Sequence, residues 1–234
     1  GSHVKVGSTA SSQFISALML IGPFLPEGLS IEFTDHVTSA SYVRLTAAEL
    51  VEWGVPVEII ESGGRLSSIE VPRTSVKGMD RTIPPDASSI IYWATAASII
   101  PGSSLLLEGV SETDLQPDAA ALKSLAEAGS RIEWIDEGAR VEGMPEFQGW
   151  SRLDAEQMPD GAVALAAAAA CGTSETRIDG LATLRIKESN RIEALGRELG
   201  KIGVRTSIEA DSMRIWPMDA STAEGVKIDT YDDH

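Results

Sequence analysis

Two kinds of apolar pattern alternate along the 234 residues. In Ser11–Leu20, Ser88–Ile100 and Gly161–Cys171 the apolar positions cover almost every side of a helix, and each run leads through a turn to a short strand pattern: Leu29–Phe33, Leu105–Glu108 and Glu175–Ile178. In Ala47–Ile59, Ala119–Ile135 and Ile192–Ile208 the apolar positions follow one face of a helix, then a glycine, then an alternating strand. The glycines, at 54, 129 and 203, are 75 and 74 residues apart. Such self-similarity predicts three copies of one unit with the order β-α-β-α-β-β, an α/β fold. A helix apolar on every side has to be enclosed by neighbours, so the helices are expected inside and the sheets outside.

Between the first and second copies, Val76 to Pro85 loses apolar periodicity and gathers glycine, aspartate and two prolines. That composition predicts a connector, with Pro84-Pro85 entering the next helix extended and Asp86 capping it. The domain expectation is therefore residues 4–83 and 84–234, with Gly1-Ser2-His3 set aside as the remnant of an expression tag.

Composition narrows the function. Thirty-five acidic residues against nineteen basic ones give a net charge of −16, which argues against a nucleic-acid or anionic-membrane surface. No apolar stretch is long enough to span a bilayer, the longest being the alanine-rich Ala162–Cys171. The single cysteine, Cys171, fits a reducing compartment such as the cytoplasm and is expected to be a small buried apolar residue. Three histidines and one cysteine, scattered, imply no metal, and nothing implies a cofactor.

The densest alternation of charge lies in Leu181–Val204. Ile192, Leu195, Leu199 and Ile202 have helical spacing, with Ser189 or Asn190 placed to cap the start and Gly203 to end the helix. Lys187, Glu188 and Arg191 thus fall on the entry to the helix. Cations there oppose the positive helix end, and the like charges of Lys187 and Arg191 repel. Either a bound anion or the Glu188 carboxylate would relieve both.

Leu-Arg-Ile-Lys-Glu-Ser-Asn-Arg-Ile resembles the Arg-Val-Lys-Glu-Ser-Asp-Arg signature of the 5-enolpyruvylshikimate-3-phosphate synthases. Three other motifs fit the same family. Ser11-Ser12-Gln13 resembles its Ser-Ser-Gln, Ser39-Ala40-Ser41-Tyr42 its Ser-(Lys/Arg)-Pro-Tyr, and Met158-Pro159-Asp160-Gly161 its Pro-Asp-Ala. The resemblance implies an inside-out α/β barrel of the enolpyruvyl transferase type, with three of the family's six units present. Residues 4–83 would be the last repeat of its first domain and 84–234 two repeats of its second.

By the same resemblance, Ser11, Ser12 and Ser39 would bind the phosphate of shikimate 3-phosphate, and Gln13 and Tyr42 would lie against the substrate. Asp160 and Lys187 would handle the proton of its 5-hydroxyl, Glu188 would protonate the methylene carbon of phosphoenolpyruvate, and Arg191 would grip that molecule's carboxylate as a fork. Thr183, where an asparagine is common, would contact a substrate hydroxyl, and Asn190 stands where an aspartate is common. Read from the residues alone, the serines and Asp160 are equally at home as helix caps, and Tyr42 as a packing residue.

The resemblance implies transfer of an enolpyruvyl group, with shikimate 3-phosphate and phosphoenolpyruvate as small-molecule partners. The chain ends at Tyr231-Asp232-Asp233-His234, where the family's Asn-Asp-His-Arg-Met motif begins. It therefore reads as a fragment that folds at least in part but does not turn over. Two alternatives remain: an enolpyruvyl transferase acting on UDP-N-acetylglucosamine, and a repeat-built binding module without catalysis.

Overall fold

The structure, a computed structural model, describes residues 2–8, 11–219 and 225–233. It divides into two compact units, Gly1–Ile83 and Pro84–His234. Residues 72–86, which join them, carry no helix or strand.

The first unit runs β1 (His3–Val6), α1 (Gln13–Ile21), β2 (Leu29–Phe33), α2 (Ala40–Glu52), β3 (Glu58–Ser62) and β4 (Arg65–Val71). Its sheet has the order β1-β2-β4-β3, with β1 parallel to β2 and the other pairs antiparallel. The pattern dictates the core. Leu29, Ile31 and Phe33 alternate inward on β2, Ile15 and Met19 stack one turn apart on α1, and Val43, Ala47 and Leu50 line α2. At Gly28, with φ +73°, a Cβ would stand 2.5 Å from the Val71 carbonyl oxygen, so only glycine fits the turn into β2. Whatever the origin of Ser2 and His3, they pair with the sheet: the Ser30 N–H donates to the Ser2 carbonyl at 2.7 Å. Gly1 and His234 lie outside the described residues.

The second unit contains α3 (Ala87–Ile99), β5 (Ser104–Glu108), α4 (Ala120–Glu127), β6 (Arg131–Ile135) and β7 (Gly138–Glu142). It continues with β8 (Arg152–Asp154), α5 (Gly161–Ala169), β9 (Thr176–Asp179), α6 (Arg191–Lys201), β10 (Thr206–Ile208) and β11 (Ser212–Ile215). One sheet has the order β8-β9-β11-β10, with β8 parallel to β9, the arrangement of the first unit repeated strand for strand. The other sheet, β5-β7-β6, is three-stranded.

Three expectations need correction. Among the described residues the middle copy has no leading strand: Pro84 and Pro85, which carry no N–H, stand where it would finish. The all-round apolar helices are not equally enclosed. Nearly all of α5 is buried, whereas α1 leaves Phe14 66% and Leu20 53% exposed. Cys171 is exposed rather than buried, since α5 ends at Ala169 and the cysteine falls in the turn beyond it.

Candidate functional site

In both four-stranded sheets the residues singled out by sequence lie on the two loops that leave the carboxyl ends of the parallel strand pair. In the first unit β1 and β2 end side by side, Val6 opposite Phe33, so the entries to α1 and α2 share one end of the sheet. The Ser8 N–H donates to Asp35 Oδ2 at 3.1 Å and ties the two loops together. Ser11 Oγ accepts the Gln13 N–H at 3.2 Å, a local helix-start bond. Ser12, the N-cap of α1, is buried, yet its hydroxyl caps nothing.

Ser39 precedes α2 in the left-handed conformation, φ +52° and ψ +47°, and again makes no side-chain cap. A non-glycine residue held there costs about 1 kcal/mol, the kind of strain found where a loop is shaped for a ligand. Gln13 is exposed at the start of α1, and Tyr42 is half-buried, its N–H donating to the Ser39 carbonyl at 3.1 Å.

In the second unit the corresponding loops follow β8 and β9. They touch at Gly180, where a Cβ would stand 2.4 Å from the Glu156 nitrogen. The loop after β9 is anchored by Asp211, whose Oδ1 accepts the Ala182 N–H at 2.7 Å, and by Arg185, which donates to the Glu209 and Ala210 carbonyls. Asn190 caps α6, its Oδ1 accepting the Glu193 N–H at 3.4 Å, so the cationic entry falls where the spacing predicts.

These anchors bring Asp160, Lys187, Glu188 and Arg191 together. Arg191 Nη1 donates to Asp160 Oδ1 at 2.6 Å, and Lys187 Nζ lies 3.4 Å from the same oxygen. Arg191 Nη2 donates to Glu188 Oε2 at 2.8 Å. A fifth residue completes the cluster: Asp233 accepts from Arg191 Nε at 2.9 Å and Nη2 at 2.8 Å, and from the Ser189 hydroxyl at 2.6 Å.

The relief that the two cations require therefore comes from the protein's own carboxylates. Two cations face three carboxylates, a local charge of −1. Arg191 uses four of its five N–H donors on them, and the Asp233 fork holds its guanidinium still more firmly protonated than usual. The bidentate grip expected of Arg191 is occupied by Asp233.

Asp233 lies in the terminal Tyr231-Asp232-Asp233 run, 42 residues after Arg191. Beside it lies a cavity of about 250 Å³, lined by Tyr92, Val163, Leu195 and Ile228 as well as Ser189, Arg191 and Asp233. Burial pushes the Tyr92 phenol up, with Asp160, Asp118 and Asp233 adding to the effect and Arg191 opposing it. Thr183 lies in the short 3-10 turn before the Lys187 loop, and its buried hydroxyl has no hydrogen-bond partner among the described residues. Thr95 and Ser130 also have buried hydroxyls without a hydrogen-bond partner among the described residues, and Thr183 differs from them in lying on the loop that leads to Lys187.

The family model described as EPSP synthase (3-phosphoshikimate 1-carboxyvinyltransferase) matches residues 1–234. The chain belongs to the EPSP synthase family. Its relatives include the 3-phosphoshikimate 1-carboxyvinyltransferase of Syntrophobacter fumaroxidans, 34% identical over all of this chain and 54% of that one. The chloroplastic 3-phosphoshikimate 1-carboxyvinyltransferase of Arabidopsis thaliana is 33% identical over all of this chain and 45% of its own. The chain spans about half the length of the curated relatives it matches.

Among solved structures, an EPSP synthase from Acinetobacter baumannii aligns over 92% of this chain and 49% of its own, with a TM-score of 0.70 and 21% identity. The enolpyruvyl transferase NikO from Streptomyces tendae aligns over 91% of this chain and 51% of its own, with a TM-score of 0.61 and 14% identity. The fold class is that of the enolpyruvyl transferases, α/β units built on mixed sheets. No described helix is long and apolar enough to cross a membrane.

Proposed function

We propose that this EPSP synthase family chain carries part of a site for joining the 5-hydroxyl of shikimate 3-phosphate to C2 of phosphoenolpyruvate. The observation that carries the reading is Asp160. Its carboxylate stands at a helix start and does not cap it, but is held between Lys187 and Arg191. A carboxylate oriented by two cations can accept a hydroxyl proton, and Lys187 can pass or share it. The names of the relatives favour shikimate 3-phosphate over a UDP-amino sugar as the acceptor.

In this reading the Asp160 carboxylate, with the Lys187 ammonium beside it, takes the 5-hydroxyl proton as the oxygen bonds to C2, while Glu188, more exposed than its neighbours, acts in its protonated form and delivers that proton to the methylene carbon. Loss of a methyl proton and of phosphate then regenerates the enol ether. Ser11, Ser12 and Ser39, on neighbouring loops of the first unit, bind the 3-phosphate with N–H groups of the helix start. Gln13 and Tyr42 pack against the ring, and the Thr183 hydroxyl meets a ring hydroxyl. Arg191 reaches the phosphoenolpyruvate carboxylate only when Asp233 gives up the fork.

The first unit is proposed as the last repeat of one domain of the family and the second as two repeats of the other. Because the chain spans half of its relatives, these 234 residues are proposed to bind shikimate 3-phosphate without turnover. The single cysteine is consistent with a cytoplasmic protein. Calorimetric titration with shikimate 3-phosphate tests the assignment. Binding that is lost in a Lys187→Ala, Ser11→Ala double variant supports it, and binding unchanged in that variant removes it.

A further inference from the structure

Helices α3 and α5 are counterparts in successive copies, and each is preceded by an aspartate after a proline. The two aspartates do different things. Asp86 caps α3 in the ordinary way, accepting the N–H groups of Ser88 and Ser89, both at 3.2 Å. Asp160 makes no such cap, and its carboxylate turns to Arg191 and Lys187 instead. The first N–H of α5, that of Gly161, is still satisfied. It donates at 2.7 Å to Oδ1 of Asp118, a residue 43 positions earlier in the other copy.

We infer that Asp118 is a positioning residue for Asp160, serving as the acceptor at the start of α5 so that the Asp160 carboxylate is released to the cationic loop. Asp118 is 1% exposed, and its second oxygen accepts the Ser88 hydroxyl at 2.7 Å. One carboxylate thus pins the entry of α3 and the entry of α5 from the 3-10 turn Pro117–Ala119. The bond it makes is to the peptide that directly follows Asp160, which fixes where that residue's side chain starts.

The approach is close. A Cβ on Gly161 would stand 3.1 Å from Asp118 Oδ1 and 3.5 Å from the Ala121 Cβ, so a bulkier residue at 161 would push the acceptor away. A buried carboxylate carries a large desolvation cost, and a neutral side chain would fill the same space more cheaply if packing were its only task.

The inference rests on the role proposed for Asp160, so the experiment reads geometry and binding separately. Crystal structures of the wild-type chain and of Asp118→Asn, Asp118→Ala and Ser88→Ala variants would be compared. Asp118→Asn keeps an oxygen for the Gly161 N–H and is expected to leave the 2.6 Å Asp160–Arg191 bond in place. Ser88→Ala removes only the second contact and should also leave it. Asp118→Ala is expected to open it beyond about 4 Å as Asp160 turns back to its own helix. An Asp160–Arg191 bond unchanged in Asp118→Ala overturns the inference.

Where the wild-type chain binds shikimate 3-phosphate, Asp118→Ala should weaken binding at least tenfold, and should have no further effect in an Asp160→Ala background. An equal loss in both backgrounds would make Asp118 a merely structural residue and overturn the inference. Absence of binding by the wild-type chain removes the functional reading alone, and the crystallographic comparison still decides the role of Asp118. Should Asp118→Ala fail to fold, a Gly161→Ala variant displaces the same acceptor, with the same loss of the Asp160–Arg191 bond expected and its retention counting against the inference.

Discussion

The pairing of Arg191 with Asp233 sets how readily this site accepts an anion, and its strength follows from burial. Both side chains are 12% exposed and share two N–H···O bonds, a third charge-assisted bond reaching Asp233 from Ser189. At such depth the Coulomb energy of a contact pair is about 4 kcal/mol at an effective dielectric of 20, and desolvation offsets roughly half of it. A coupling of about 2 kcal/mol is therefore expected from a double-mutant cycle with Arg191→Met, Asp233→Leu and the double variant.

The single Arg191→Met substitution should cost more, about 3 kcal/mol, because it leaves the 12%-exposed Asp233 carboxylate without its fork and takes from Asp160 one of its two cations. Urea unfolding followed by tryptophan fluorescence measures each corner of the cycle. Four of the five tryptophans, Trp93, Trp134, Trp150 and Trp216, lie in the second unit. A coupling of 2 kcal/mol also means that a ligand carboxylate displacing Asp233 starts at a disadvantage of about 30-fold. Replacing Asp233 should return that factor as tighter binding of phosphoenolpyruvate. A coupling below about 0.5 kcal/mol would refute the reasoning, since the pair would then behave as a solvated surface bridge and leave Arg191 free for ligand.

Two other outcomes follow from polar groups in the second unit. The Lys201 ammonium, with the Tyr231 hydroxyl and the Asp229 N–H, pulls the Glu198 carboxyl down to about 2 from 4.5, and those contacts hold the 225–233 segment on α6. A lowered carboxyl stabilises above its unfolded pKa and loses that contribution as pH falls, so the segment should detach between about pH 4.5 and 2. Proton NMR of Tyr231 would follow the release, and a segment still docked at pH 2 in wild type would contradict it. Thr183→Val removes a buried hydroxyl that lacks a partner among the described residues, and should stabilise the chain by about 1 kcal/mol while weakening shikimate 3-phosphate binding. Thermal unfolding and calorimetry on the same sample separate the two effects, and a destabilised variant would mean that the hydroxyl is already satisfied.

Much of the architecture could be read from periodicity, because each copy repeats local signals. The glycines after α2, α4 and α6, at 54, 129 and 203, all have positive φ, and Asn190 caps the helix whose apolar face begins at Ile192. Local chemistry also placed Lys187, Glu188 and Arg191 at one entry. What stayed hidden depends on contacts far apart in sequence. Asp118 meets Gly161 across 43 residues and Asp233 meets Arg191 across 42, and an isolated aspartate near a helix start reads as an ordinary cap. Among the described residues the middle copy lacks its leading strand while its helix and glycine signals are intact, so periodicity alone predicts a strand there. The alanine run continues past the last turn of α5, so composition alone buries Cys171, which lies exposed beyond the helix end.

The most direct measurement is a map of amide chemical shifts as shikimate 3-phosphate is added to the isotope-labelled chain. The account predicts shifts at 11–13 and 39–42 in the first unit and at 160–161 and 183–191 in the second, abolished at 160–161 and 183–191 by Lys187→Ala. Shifts confined to other residues, or the same shifts in the Lys187→Ala chain, would contradict it.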